Sequence, residues 1–274
     1  MFAASGIGGS VCDVIAGRLL EEFGFRHALW LTAIIITVLL VMGLALVWQD
    51  DPSRKGLLPY GYGSAEERKS IPAYGLSFEE AKKTPSFWLL LCMELFWGMA
   101  IIPIITSVPA HLSDQGIAAS VVSNQIMPVL FAVSAVSKLG MGFVYDRFGP
   151  KTMLAVIGIC TTAGAALLPW IHDVPGAMMM ALLIGGGYAC MTIPAPLLTE
   201  RIFGNRAYAA ILSPVSAIMS LAGAVGTPVS NAVCDITGSY NAAYCCHAAM
   251  FAAAAVCGIC ALRLAKPHVR KHET

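Results

Sequence analysis

Residues 138–151 read KLGMGFVYDRFGPK, and what stands on either side of them decides the fold. A long apolar run arrives at Lys138 and another leaves from Lys151. Between them Gly142, Asp146, Arg147, Gly149, Pro150 and Lys151 bring charge and helix breakers together. Charges so clustered need water, and Gly149-Pro150 breaks a helix and turns the chain. The stretch predicts a short hairpin loop between two membrane-crossing helices. Asp146 suits a helix N-terminus and the cations a C-terminus. An ordinary basic loop between two spans accounts for the same charges.

Composition also places the chain in a membrane. Of its 274 residues 57% are hydrophobic and 12% charged, too little charge to cover a soluble domain of this length. The mean hydropathy is strongly positive. A formal net charge of +1 suggests no nucleic acid partner, which leaves the lipid bilayer. Met1 leads into small apolar residues without a basic n-region, so the start does not read as a secretory signal. The nine cysteines, Cys245-Cys246 and Cys257-x-x-Cys260 included, fall almost entirely in apolar runs. Metal sites need converging thiolates in a polar loop, so these read as packing residues, and neither metal nor cofactor is expected.

A bilayer crossing takes about 20 apolar residues. Such runs fall at 1–20, 27–48, 87–110, 119–144, 152–171, 176–198, 207–232 and 242–264, which predicts eight spans. Fourteen of the 17 Lys and Arg lie in the segment 49–86, the loop at 145–151, the loop holding Arg201 and Arg206, and the tail from Arg263. Alternation of the spans puts all of these on one side, and the positive-inside rule makes that side and the C-terminus cytoplasmic. Segment 49–86 is the one long polar linker, rich in Pro, Gly and mixed charge. Ser77 and Glu80 near its end form a capping-box pattern, predicting a short helix through Lys83 that Thr84-Pro85 stops. Phe87-Trp88 then enters the membrane as an aromatic anchor.

These motifs carry a resemblance. Gly142-x-x-x-Asp146-Arg147-x-Gly149-x-Lys151 resembles the loop signature of the major facilitator superfamily, which recurs between its helices two and three and eight and nine. Residues 77–88 (SFEEAKKTPSFW) resemble the lead into helix seven in the superfamily's oxalate/formate antiporter and monocarboxylate transporter branch. Residues 24–30 (GFRHALW) and 235–244 (DITGSYNAAY) resemble that branch's entries to helices six and twelve. The resemblance implies an all-α polytopic membrane protein. Residues 1–48 would be helices five and six of the N-terminal half, 49–86 the cytoplasmic linker, 87–264 the C-terminal six-helix half and 265–274 a cytoplasmic tail. Helices one to four would be missing, so a separate N-terminal half is an implied partner. The family rocks two halves around a central site. The resemblance implies transport of a small organic anion, a mono- or dicarboxylate, by proton symport or anion exchange. A half-transporter, a non-transporting remnant and a carrier for a drug or amino acid are the alternatives.

Lys138 is the sharpest candidate for the site, about two turns or roughly 9–12 Å inside the membrane. Asn124, Met127, Phe131, Ser134 and Lys138 are spaced three, four, three, four and share one helix face. In the resembled branch a basic residue here handles the carboxylate. Arginine is usual, so Lys138 departs from the pattern, offering a point charge in place of a fork. Snorkelling to the headgroups is the other reading. Glu94, at similar depth on the preceding span, either pairs with Lys138 in the empty protein or is protonated or bonded to neighbouring backbone. Tyr188 follows Gly185-Gly186-Gly187 and resembles a cavity position in the branch, able to donate to a carboxylate. Interrupted helices around Pro103, Pro109, Pro194, Pro196, Pro214 and Pro228 suit a transport site, though proline is also ordinary in membrane helices. Substrate-binding residues are thus expected at Lys138, Asn124, Ser134, Tyr188 and Glu94. A conformational latch is expected at Gly142, Asp146, Arg147, Gly149 and Lys151. The six histidines read as not converging, and no catalytic triad, phosphate loop, zinc spacing or carboxylate pair appears, so no enzyme is expected.

Overall fold

A computed structural model describes residues 2–46 and 74–265; the rest of the expected linker and the tail lie outside the described residues. The regular structure it describes is helical. The chain divides into two compact units, Ile15–Ala73 and Met1–Val14 together with Tyr74–Thr274. The helix α1 (Phe2–Leu46) contributes its first residues to the larger unit and the rest to the smaller, and departs from helical geometry at Gly24 (φ 71°), between the expected spans 1–20 and 27–48. Beyond His27 the helix is apolar on nearly all sides, as befits a helix meeting lipid or other helices.

From Tyr74 on, the larger unit begins with α2 (Phe78–Ala81), the short helix that the capping box predicts. The Ser77 N–H and hydroxyl donate to Glu80 Oε2, both at 2.8 Å. Then come α3 (Pro85–Asp114), α4 (Ala119–Val121), α5 (Met127–Leu167), α6 (Val174–Gly187), α7 (Pro194–Phe203), α8 (Tyr208–Thr237) and α9 (Asn241–Leu264). Six stretches among the described residues are long and apolar enough to cross a membrane. One of them, Ala119–Trp170, has 52 residues, about 78 Å of helix and enough for two crossings. Gly149 (φ 83°) interrupts it, in the left-handed region that glycine tolerates. Ser137 and Thr161, each twelve residues from Gly149, meet consecutive glycines of α6. The Ser137 hydroxyl donates to the Gly186 carbonyl, and a Cβ on Gly187 would strike Thr161. The arms of α5 therefore fold back side by side, as the loop sequence predicts.

Close approach holds the bundle together, since lipid competes with any apolar face. A Cβ on Gly185 of α6 would lie 2.6 Å from the Leu130 carbonyl of α5. One on Gly258 of α9 would lie 2.6 Å from Met93 Sδ of α3. Gly98 of α3 abuts the Met219 carbonyl and Ala222 of α8.

Two expected spans differ from the observed helices. The span 176–198 is α6, a 3₁₀ turn Tyr188–Met191, and then α7. Pro194 and Pro196 lack the N–H groups that the carbonyls of Cys190 and Thr192 would need to continue the helix. The span 119–144 opens with a π-helical turn, Val122–Ile126. Pro128 gives the Asn124 carbonyl no amide hydrogen, and such gaps favour a π-turn. A strap joins the residues ahead of α2 to the turn between α7 and α8. Leu76 N donates to the Phe203 carbonyl at 2.8 Å, and Asn205 N and Arg206 N donate to the Tyr74 carbonyl at 3.0 Å.

Candidate substrate site

Three helices bring chemistry to one level of the larger unit. Lys138 stands eleven residues before Gly149 and Glu94 nine residues after Pro85, placing them about 16 Å and 14 Å along their helices. Cys190, in the 3₁₀ turn, lies within electrostatic reach of both. The break after Gly187 thus puts a non-helical segment beside the buried cation.

Lys138 is 6% exposed, so it does not snorkel. Its Nζ lies 5.5 Å from the centroid of the Tyr188 ring. Tyr188 meets Phe131 edge-on at 5.9 Å. Phe131 and Lys138, seven residues apart on α5, therefore present one face to Tyr188, as their spacing predicts. The ring's negative face is a partial answer to a buried ammonium.

Glu94 is 1% exposed and its Oε1 has no hydrogen-bond partner. Of the two readings of Glu94, the pair with Lys138 is not among the ion pairs of the described residues, where Lys82–Glu79 is found. Equal depth does not fix the rotation of two helices about their axes, and pairing needs both. Trp97 Nε1, one turn along α3, and Thr192 Oγ1, just after the 3₁₀ turn, are also buried without a partner. An acceptor, a donor and a hydroxyl left open in a low-dielectric interior are costly unless something pairs with them.

The other expected residues are more scattered. Ser134 is buried and donates to the Phe131 carbonyl at 2.7 Å, which leaves its oxygen only as an acceptor. Asn124 is exposed in the π-turn, about 20 Å along the helix from Lys138, and does not share its level. Of the expected latch, Gly142 is half-buried and Asp146, Arg147 and Lys151 are exposed around Gly149. The Arg147 guanidinium lies 5.9 Å from the Phe148 ring.

Two of the histidines share one aromatic neighbour, which the sequence reading did not anticipate. His111 of α3 and His247 of α9 flank Tyr244, at ring distances of 4.9 and 6.1 Å. Tyr244 shares a 3.0 Å hydrogen bond with Ser107, and His247 Nε2 one of 3.0 Å with Ser230. The four- and three-residue steps from Tyr240 to Tyr244 to His247 were the available signal for one face of α9.

Residues 1–227 match the profile of the Major Facilitator Superfamily. The chain belongs to that superfamily and is a multi-pass membrane protein with the family's all-helical fold. Its curated relatives include the MFS transporter asaE of Aspergillus flavus, 23% identical over 237 residues that make up 85% of this chain and 50% of that protein. MFS-type transporter 1 of an Ophiocordyceps species is 23% identical over 243 residues, 87% of this chain and 50% of the relative. The chain thus spans about half the length of the curated relatives it matches. Among solved structures, a bacterial homologue of the human lysosomal transporter Spinster, inward-facing and unoccupied, aligns with 97% of this chain and 67% of its own, at 17% identity and a TM-score of 0.48.

Proposed function

We propose that this chain contributes the anion-handling helices of a carrier that moves a small mono- or dicarboxylate across the cell membrane by alternating access. The observation that carries the reading is the burial of Lys138 against Tyr188, beside the broken helix between α6 and α7. An intramembrane cation next to interrupted helix is the arrangement expected where an organic anion docks. Lys138 supplies the charge and Tyr188 holds it, with Ser134 nearby. Glu94, buried and without a counter-ion among the described residues, takes up and releases the proton in symport. Asn124 lies on the outward part of the path. Gly142, Asp146, Arg147, Gly149 and Lys151 latch the cytoplasmic side, where the linker and the C-terminus also lie. The longer carrier completes the cavity with helices homologous to those in its relatives.

The test is uptake of labelled carboxylates into proteoliposomes, using this chain and any longer product of the same reading frame, each as wild type and Lys138→Ala. Uptake that disappears with Lys138 while the protein stays folded supports the reading. Undiminished carboxylate uptake by the variant, or transport confined to uncharged or cationic solutes, overturns it.

A further inference from the structure

Away from the substrate level, a cavity of about 610 Å³ opens where the start of α3 meets the ends of α7 and α9. Its lining includes Lys83, Arg206, Glu80, Thr84, Phe203 and Leu264. We propose that this cavity is a binding site for the headgroup of an anionic phospholipid. Lys83 and Arg206 come from segments far apart in sequence, yet both act on Glu80, so the two cations converge. Neither makes an ion pair or a side-chain hydrogen bond among the described residues, unlike neighbouring Lys82, which Glu79 holds at 2.7 Å. Glu80 is the one carboxylate in the lining, and Ser77 already occupies one of its oxygens through two hydrogen bonds. The lining therefore keeps a net positive charge.

The position selects a lipid over a soluble anion. The cavity lies at helix ends, at the level where exposed Trp88 donates its indole N–H to the Lys82 carbonyl, as an interfacial tryptophan does. Leu264 on the wall is 54% exposed, giving an acyl chain an apolar surface beside the cations. Basic pockets between helices at the membrane surface suit anionic headgroups, with each Lys or Arg worth about fivefold in affinity.

The experiment measures binding of short-chain phosphatidylglycerol, short-chain phosphatidylcholine and inorganic phosphate to the purified protein in detergent. Phosphatidylglycerol is expected to bind best. Lys83→Gln with Arg206→Gln should weaken it about 25-fold. Lys82→Gln should leave it within about twofold, and exchanging the cations (Lys83→Arg with Arg206→Lys) should preserve it in a protein that elutes as the wild type does. Four results overturn the site: equal binding of phosphatidylcholine, an unaffected double Gln variant, an equal loss in Lys82→Gln, or inorganic phosphate binding as tightly as the lipid. The last assigns the cavity to a soluble anion. None of these outcomes depends on what the carrier transports.

Discussion

Lys138 Nζ lies 5.5 Å from the centre of the Tyr188 ring, and that ring is braced edge-on by Phe131 at 5.9 Å. The contact joins α5 to the 3₁₀ turn at which α6 ends. Any displacement of the Lys138 charge therefore also bears on the 3₁₀ backbone between α6 and α7.

This pairing separates two roles of Tyr188. Tyr188→Phe keeps the ring under the ammonium and is expected to keep the protein's stability, with a loss of uptake only if the hydroxyl donates to substrate. Tyr188→Ala removes a cation–π contact of about 0.5–2 kcal/mol and an aromatic pair of about 0.5–1.5 kcal/mol. Thermal unfolding in detergent should show that loss. Lys138→Ala is expected to lower uptake kcat/KM about 10- to 100-fold, the worth of a charge-assisted hydrogen bond. A Lys138→Ala protein with wild-type kcat/KM removes the lysine from the site.

Among the described residues Glu94 has no ionic partner to lose. Glu94→Gln is nearly isosteric and is expected to leave the unfolding temperature unchanged, whereas breaking a buried pair costs about 3–5 kcal/mol. In proteoliposomes the same variant should lose accumulation driven by a pH gradient and keep counterflow exchange. Retention of gradient-driven accumulation assigns the proton to another group.

Glycine packing gives a stability test that does not depend on function. Gly185→Ala places a Cβ 2.6 Å from the Leu130 carbonyl and 3.0 Å from Val133 Cβ, so α5 and α6 must part. The expected loss is about 1–3 kcal/mol. Gly140→Ala, where nothing lies within 4 Å, is expected to be neutral or slightly stabilising. Equal effects at the two positions argue against close packing at Gly185.

At the polar end, hydrogen bonds from the Ser77 backbone N–H and hydroxyl hold the Glu80 carboxyl below its ordinary 4.5. A group depressed in the folded state stabilises fully above 4.5, and the contribution is lost as pH falls through the lowered value. Hydrogen-exchange protection of the Ser77 and Glu80 amides, corrected for intrinsic rates, should fall in that acid window. Ser77→Ala should lower the protection of the Glu80 amide at neutral pH, while the residue-77 amide, whose bond to the carboxylate survives, keeps its acid step.

Local chemistry made part of this structure legible in the sequence. Gly149-Pro150 marked the hairpin, Ser77 and Glu80 marked α2, and the spacing from Phe131 to Lys138 set a shared face, because each depends on neighbours along one chain. The π-turn that holds Asn124 was not legible, because spacing rules assume 3.6 residues per turn and the turn before Pro128 does not obey them. The Glu94–Lys138 pair rested on depth alone, and rotation of a helix cannot be read from depth. Tyr244 between His111 and His247, like the strap from Tyr74 to Arg206, joins residues remote in sequence, which no local pattern reports.

The strap also determines how load passes along the chain. Tyr74 and Leu76 are bonded to Phe203, Asn205 and Arg206, and one of these bonds is a 2.9 Å contact from Tyr74 N to Asn205 Oδ1. A pull on the chain ahead of Tyr74 reaches the α7–α8 turn before it reaches α3, although α3 comes next in sequence. The strap thus fastens the entry to α2 onto the broken-helix side of the bundle.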